Sequence, residues 1–221
     1  QCTGSWQQGT SEKSSLVLNL TATDVPLDNT LRQAIGQLNP KTGRVWESLQ
    51  PQGTLDRLTV QLRHPGPEGK PEIAIQGQKW PRRVYAPDPG LLVKPQWFPY
   101  RLDHVTGMFN YRNGQVTLTG IRGQHGKSVI RLDGSCFFPM EGPWDAKLTN
   151  LTVDHLLTDH EFITALPLPI RKAIAKLNIT GPLMLRGQVQ LAKAMEGNRK
   201  LNAQWDLKIS AAGATLESGL R

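Results

Sequence analysis

Apolar and polar positions alternate along much of this chain, which is the pattern of β-strands that bury one face. The clearest run extends from Leu201 to Ile209 and places its apolar side chains on one face and its polar side chains on the other. Shorter runs with the same alternation occur at 16–20, 58–62, 116–118, 129–132 and 189–191. The Asn113-Gly114 pair is typical of a two-residue hairpin turn. The pattern therefore predicts a sheet of mainly antiparallel strands.

Two segments follow helical spacing instead. Their apolar residues recur every three or four positions, and they are Leu27, Leu31, Ile35 and Leu38 in the first segment and Phe162, Leu166, Ile170, Ile174 and Leu177 in the second. Thr158 and Glu161 have the spacing of a capping box, whereas Pro167 and Pro169 must kink or split the second helix. The sequence predicts helices near 27–38 and 158–177. The fold class expected is α+β and β-rich, with a curved sheet and two short helices.

The surroundings of the two helices are alike, which predicts a divergent internal repeat. A strand precedes each helix, and a Gly-x-Leu triplet and a second strand follow it. Gly53 and Gly181 begin the two triplets at an offset of 128, and Val60 and Val189 begin strand segments at an offset of 129. Chance similarity between two β-hairpins is the alternative. We expect repeat halves at 14–77 and 144–212 that are joined by 78–143.

Composition supports a folded chain and adds one expectation about its extent. Of 221 residues 38% are hydrophobic, and the 21 Gly and 16 Pro favour turns and β structure. No apolar run is long enough to span a membrane. The chain starts at Gln1 without Met and ends just after a strand-like run. We therefore expect residues 1–221 to be one β-rich segment of a longer protein.

The net charge of +8 is unevenly distributed. Residues 79–131 contain nine basic residues and only two acidic ones, Asp88 and Asp103. This basic segment includes most of an irregular stretch at 78–99 that is rich in proline and aromatic residues. Such a surface suits anionic lipid headgroups or an acidic glycan, and a solvated face is the alternative. No nucleic acid is expected, because no recognition motif accompanies the charge. The anion-binding candidates are Lys79, Arg82, Arg83 and Arg101.

No motif predicts catalysis, so we expect a protein that is not an enzyme and has no cofactor or metal. The run from Gly120 to Ser128 misses the spacing of a phosphate loop, and a strand-like segment follows it rather than a helix. His155 and His160 are five residues apart, which does not fit a metal-binding helix. Cys2 and Cys136 are compatible either with one disulfide or with two free thiols.

Several segments resemble the repeating unit of AsmA-like and TamB-like bacterial envelope proteins. The resemblance rests on the run from Phe98 to Phe109, on its continuation from Asn113 to Leu118, and on the segment from Leu20 to Leu27 with its Val-Pro-Leu ending. Residues 53–56 and 216–221 are similar to other parts of that unit. The resemblance implies a long curved sheet with an apolar groove, anchored in the envelope and used for lipid transport or outer-membrane homeostasis.

The predicted function is therefore non-catalytic lipid handling on the periplasmic side of a bacterial envelope. We expect the full-length protein to be anchored in a membrane and to meet lipid or an anionic membrane surface. The alternative is an extracytoplasmic binding or scaffold module that recognises an acidic glycan or protein through the basic, Trp-rich stretch. The candidate groove residues are the inward positions of the strands: Leu58, Val60, Leu62, Val116, Leu118, Val189, Leu191, Trp205, Leu207 and Ile209.

Overall fold

The computed structural model describes residues 2–7, 15–38, 40–64, 71–81, 90–96, 98–137, 144–166, 168, 171–172, 179–193, 201–211 and 215–216. The helices in these residues are α1 (Asn29–Leu38), α2 (Pro40–Leu49) and α3 (His160–Ala165). The strands are β1 (Cys2–Gln7), β2 (Ser15–Pro26), β3 (Thr54–His64), β4 (Glu72–Lys79), β5 (Leu91–Val93), β6 (Leu102–Arg112), β7 (Gln115–His125), β8 (Ser128–Phe137), β9 (Trp144–Leu156), β10 (Ile179–Thr180), β11 (Leu183–Lys193), β12 (Leu201–Ser210) and β13 (Thr215–Leu216).

One curved, open sheet contains most of the strands. Its ten main strands lie in the order β1-β2-β3-β4-β6-β7-β8-β9-β11-β12, and β5 pairs with β6. All of these pairings are antiparallel. β10 and β13 form a separate two-stranded sheet. The predicted fold class, a β-rich α+β chain with a curved, mostly antiparallel sheet, is confirmed.

The predicted hairpin turn joins β6 to β7. Asn113 and Gly114 are its two central residues, with φ of 51° and 88°. Positive φ at both central positions matches the right-handed twist of the flanking strands, and Asn and Gly adopt it at low cost. The local sequence therefore sets the register of these two central strands.

The register gives the sheet two chemically different faces. Directly opposed residues form one row across nine strands: Leu20, Val60, Ile75, Tyr111, Val116, Cys136, Ala146, Leu191 and Ala203. One position along each strand lies a second row, on the opposite side: Thr21, Thr59, Gln76, Asn110, Thr117, Ser135, Lys147, Gln190 and Gln204. We call these sides the apolar face and the polar face. The alternation predicted strand by strand is thus continuous across the sheet.

Extra residues interrupt the ladder in its middle strands. β7 has one more residue than β8 between Leu118 and Ile121, and Gly120 there has a φ of 58°. β9 has one more residue than β8 between Thr149 and Thr152, and Asn150 there has a φ of 50°. Such bulges bend a strand and increase its twist, so they account for part of the curvature of this sheet.

The helices differ from the prediction in number. α1 is confirmed, and α2 follows it directly although the sequence analysis left this segment unassigned. Pro40 begins α2 at a position where its missing N–H costs nothing. α3 ends at Ala165, and residues 168, 171 and 172 are again helical, so the second predicted helix is split near Pro167 as expected. Residues 173–177 of that prediction lie outside the described residues. Asp159, rather than Thr158, caps α3 by accepting a hydrogen bond of 2.8 Å from the Phe162 N–H.

The two helix-bearing connections have related settings. β2 and β3 are adjacent antiparallel strands joined through α1 and α2, and β9 and β11 are adjacent antiparallel strands joined through α3. Gly53 and Gly181 both have positive φ, of 110° and 96°. This is the arrangement that a repeat requires, while the duplication itself stays a prediction. The linking stretch predicted to be irregular contains β5.

Cys136 is a free thiol. It lies on β8, whereas Cys2 lies on β1, six strands away in the sheet order. Neighbouring strands are about 4.8 Å apart, and a disulfide requires Cα atoms within about 7 Å of each other. The sheet therefore decides the question that the sequence left open, in favour of an unbridged Cys136. Burial raises the pKa of this thiol to about 11, and the negative charge of Asp145 adds to the effect.

Candidate functional site

All ten predicted groove residues lie on the apolar face. Val60, Val116 and Leu191 belong to the row defined above, and the others lie an even number of residues from a row member on the same strand. Leu58, Val116 and Leu191 are buried, whereas Trp205 and Ile209 are 54% and 64% exposed. The remaining five are half-buried: Val60, Leu62, Leu118, Val189 and Leu207. The face is thus closed at the three buried positions on β3, β7 and β11 and most open along the edge strand β12.

The segment of α1 covers the apolar face near β3. Leu55, Leu58, Ile73, Ile75, Tyr111 and Val116 form a buried group that we call the β3–β7 cluster. Leu27, Leu31 and Ile35 of the α1 segment pack against it. These are the residues whose helical spacing predicted the helix. The apolar face is therefore partly closed here.

A second group of side chains covers the apolar face near β8, β9 and β11. Ile130, Val153, Leu156, Leu183, Phe162, Ala165 and Tyr100 form the β8–β11 cluster. The Tyr100 ring lies 4.0 Å from the His125 ring and 5.7 Å from the Phe162 ring, centroid to centroid. Burial raises the pKa of Tyr100 to about 12. Aromatic residues from the proline-rich stretch and its end thus help to seat α3 on the sheet.

Between these clusters, large side chains lie over glycines of neighbouring strands. A Cβ atom on Gly77 would lie 2.1 Å from the Phe109 ring, and one on Gly134 would lie 3.1 Å from a methyl group of Leu148. Phe109, Leu118 and Leu148 are all half-buried. The floor of the apolar face is therefore made of large side chains seated on glycines, a relation between strands that the alternation pattern does not contain.

An ion pair is buried at one end of the apolar face. Lys79 Nζ lies 3.2 Å from Asp56 Oδ1, and the two side chains are 4% and 2% exposed. Asp56 Oδ2 also accepts a hydrogen bond of 2.7 Å from the Trp80 N–H. Lys79 shares its face with Ile73 and Ile75, where a charge is tolerated only when it is paired. This corrects the expectation that Lys79 is available to external anions.

The other predicted anion-binding residues have different outcomes. Arg101 is exposed, and its Nε lies 2.8 Å from Asp103 Oδ1, so its charge is partly compensated. Arg82 and Arg83 lie outside the described residues. The basic site as a set is therefore reduced to Arg101 in the part of the chain that the structure describes.

The described residues contain no group of three or more His, Cys, Asp or Glu side chains placed to hold a metal ion. No helix among them is long and apolar enough to cross a membrane.

Comparison with known proteins finds no matching family model, no matching curated protein and no matching solved structure. The fold class is an open antiparallel sheet with one apolar and one polar face, and short helices cover part of the apolar face.

Proposed function

We propose that this chain is a non-catalytic segment of a bacterial envelope protein that holds lipid acyl chains against the apolar face of its sheet. The observation that carries the proposal is the apolar row that crosses nine strands without a polar residue at any opposed position. Half-buried and exposed side chains beside this row extend its apolar surface, and each CH₂ group buried against them contributes about 0.8 kcal/mol.

The half-buried part of the track is where lipid would lie. Leu118 and Val189 lie in one row of opposed residues on this face, which also contains Gly134 and Leu148. Leu118 packs against the β3–β7 cluster, and both side chains are half-buried. Trp205 and Ile209 extend the exposed apolar surface to the β12 edge. An acyl chain on these residues would remove apolar surface from water on both partners.

The headgroup would remain at the rim, in contact with water. Arg101 is exposed just before β6 and would meet the headgroup there, with its charge partly compensated by Asp103. A basic residue near an anionic surface contributes about 1 kcal/mol. We propose an anionic membrane surface as the partner on this side, and anchoring of the full-length protein in a membrane.

The test uses a photo-crosslinking amino acid at single positions of the protein expressed in bacteria. Two neighbouring pairs offer matched controls: Leu118 on the apolar face with Thr117 on the polar face, and Val189 with Gln190. We expect phospholipid adducts, identified by mass spectrometry after irradiation, at Leu118 and Val189 and not at Thr117 and Gln190. Equal labelling of both faces, or no adduct at any position, would rule out an acyl-chain track.

A further inference from the structure

The polar face contains a shallow cavity of 340 Å³ over β7, β8 and β9. Six polar side chains line it: the opposed residues Thr117, Ser135 and Lys147, the opposed pair Asp133 and Thr149, and Thr119 at the β7 bulge. The hydroxyl-bearing side chains are short, so the surface is depressed where they lie. The Asp133 carboxylate and the Lys147 ammonium group add one charge of each sign. A surface of this kind offers many hydrogen-bond donors and acceptors and no strong net charge.

Asp133 is held in a fixed position within this cavity. Its Oδ1 accepts a hydrogen bond of 2.7 Å from the Gly120 N–H, and its Oδ2 accepts one of 2.8 Å from Asn150 Nδ2. Both donors lie at the bulges of the neighbouring strands. Each carboxylate oxygen can accept a further hydrogen bond, so the group can still receive a donor from outside. The same two hydrogen bonds lower the pKa of Asp133 and keep it ionised at neutral pH.

An exposed aromatic ring lies beside the cavity. Phe137 is opposed to Gln115 and Asp145 and lies two residues from Ser135, so it shares the polar face. It is 46% exposed although its opposed neighbours are polar. From Phe137 to Asp133 the surface extends about 13 Å along β8, and three strands give it a width of about 10 Å.

We propose that this surface binds a carbohydrate chain, with a sugar ring stacked on Phe137 and the next ring hydrogen-bonded over Asp133. A pyranose presents an apolar C–H face and a rim of hydroxyl groups, which matches an aromatic ring beside donors and acceptors. A free phosphate fits less well, because the Asp133 carboxylate would repel it. Lys147 gives a carboxylate-bearing sugar an additional contact. The inference is independent of the proposed lipid track, since it uses the opposite face.

The test is titration of the ¹⁵N-labelled protein with three tetrasaccharides, followed by NMR: cellotetraose, its N-acetylated analogue chitotetraose, and tetragalacturonate. We expect at least one of them to shift the amide signals of Ser135, Lys147 and Thr149. Phe137→Ser should weaken the affinity about tenfold, as for an aromatic contact at the centre of a site. Thr149→Val, which removes one hydroxyl at constant shape, should weaken it by a smaller factor.

Trp205→Ser is the matched control, because it removes an equally exposed aromatic ring from the apolar face. Its affinity should equal that of the wild type. The proposal is overturned when no saccharide shifts these signals at about 10 mM, or when Trp205→Ser weakens binding as much as Phe137→Ser does. Neither outcome bears on photo-crosslinking at Leu118, so the two proposals succeed or fail separately.

Discussion

Gly77 lies beneath the aromatic ring of Phe109, where the space for a side chain is already filled. Because a Cβ atom would lie 2.1 Å from that ring, the ring must move when alanine is introduced. We expect Gly77→Ala to lower the free energy of unfolding by about 1–3 kcal/mol, measured by urea denaturation. Gly36→Ala in α1 is the control: nothing lies within 4 Å of its Cβ position, and alanine should stabilise the helix by about 0.5–1 kcal/mol. Equal stability of Gly77→Ala and the wild type would contradict the packing described.

The buried pair of Asp56 and Lys79 makes a second residue-level prediction. Lys79→Met leaves the carboxylate buried without its cationic partner, so we expect a loss of about 3–5 kcal/mol in the free energy of unfolding. In Asp56→Asn/Lys79→Met no charge remains buried, while the Asn side chain can still accept the Trp80 N–H. The double variant should be more stable than Lys79→Met, as shown by a double-mutant cycle. Additive losses in that cycle would mean that the two charges do not interact.

At the scale of elements, α3 depends on its first turn because it is only six residues long. Asp159 accepts the Phe162 N–H and so fixes the start of the helix that carries Phe162 into the β8–β11 cluster. We expect Asp159→Ala to cost about 1 kcal/mol of unfolding free energy, whereas Asp159→Asn retains the acceptor and should cost little. Thermal denaturation of both variants checks this. Equal losses would show that the charge, rather than the cap, matters.

The bulges of β7 and β9 are joined through Asp133, which makes stability depend on pH. Hydrogen bonds from Asn150 and Gly120 lower the pKa of this carboxyl, so the folded state binds the proton less well than the unfolded state does. The ionised Asp133 carboxylate therefore stabilises the folded state above the ordinary pKa of about 3.9. This stabilisation is lost as the pH falls through the lower pKa of the folded state. Wild type should exceed Asp133→Asn in stability at pH 7, and this difference should shrink below about pH 4. A difference that stays constant with pH would contradict the role of the charge.

For the whole molecule, the open sheet predicts a gradient of stability from the middle to the edges. β6, β7 and β8 each have two neighbours in the sheet, whereas β12 pairs only with β11 among the described strands. Outward amides of β12 have no ladder partner, so we expect β12 to exchange its amide hydrogens at least about tenfold faster than β7 in hydrogen-exchange mass spectrometry. Equal protection of both strands would indicate that another chain segment or a partner covers the β12 edge.

The sequence alone predicted alternating segments of six strands, the faces of their side chains, one hairpin turn and the first helix. Alternation assigned Leu58, Val116 and Trp205 to one side because side chains on a strand repeat with a period of two, and Asn113-Gly114 defined a hairpin through its tolerance of positive φ. α2 was missed because its pattern is short. The break after Ala165 agrees with Pro167 and Pro169, which the sequence predicted to kink or split the second helix.

Only the tertiary structure decided which strands are neighbours, and with that the chemistry of each face. Lys79 counts as a surface charge in a sequence, yet the register opposes its strand to β3, where Asp56 pairs with it on the apolar face. The contact of the Phe109 ring with Gly77 and the position of Asp133 between two bulges likewise depend on how different strands pair. Local patterns specify the direction of a side chain, but the identity of its neighbour depends on strand order, which no local pattern contains.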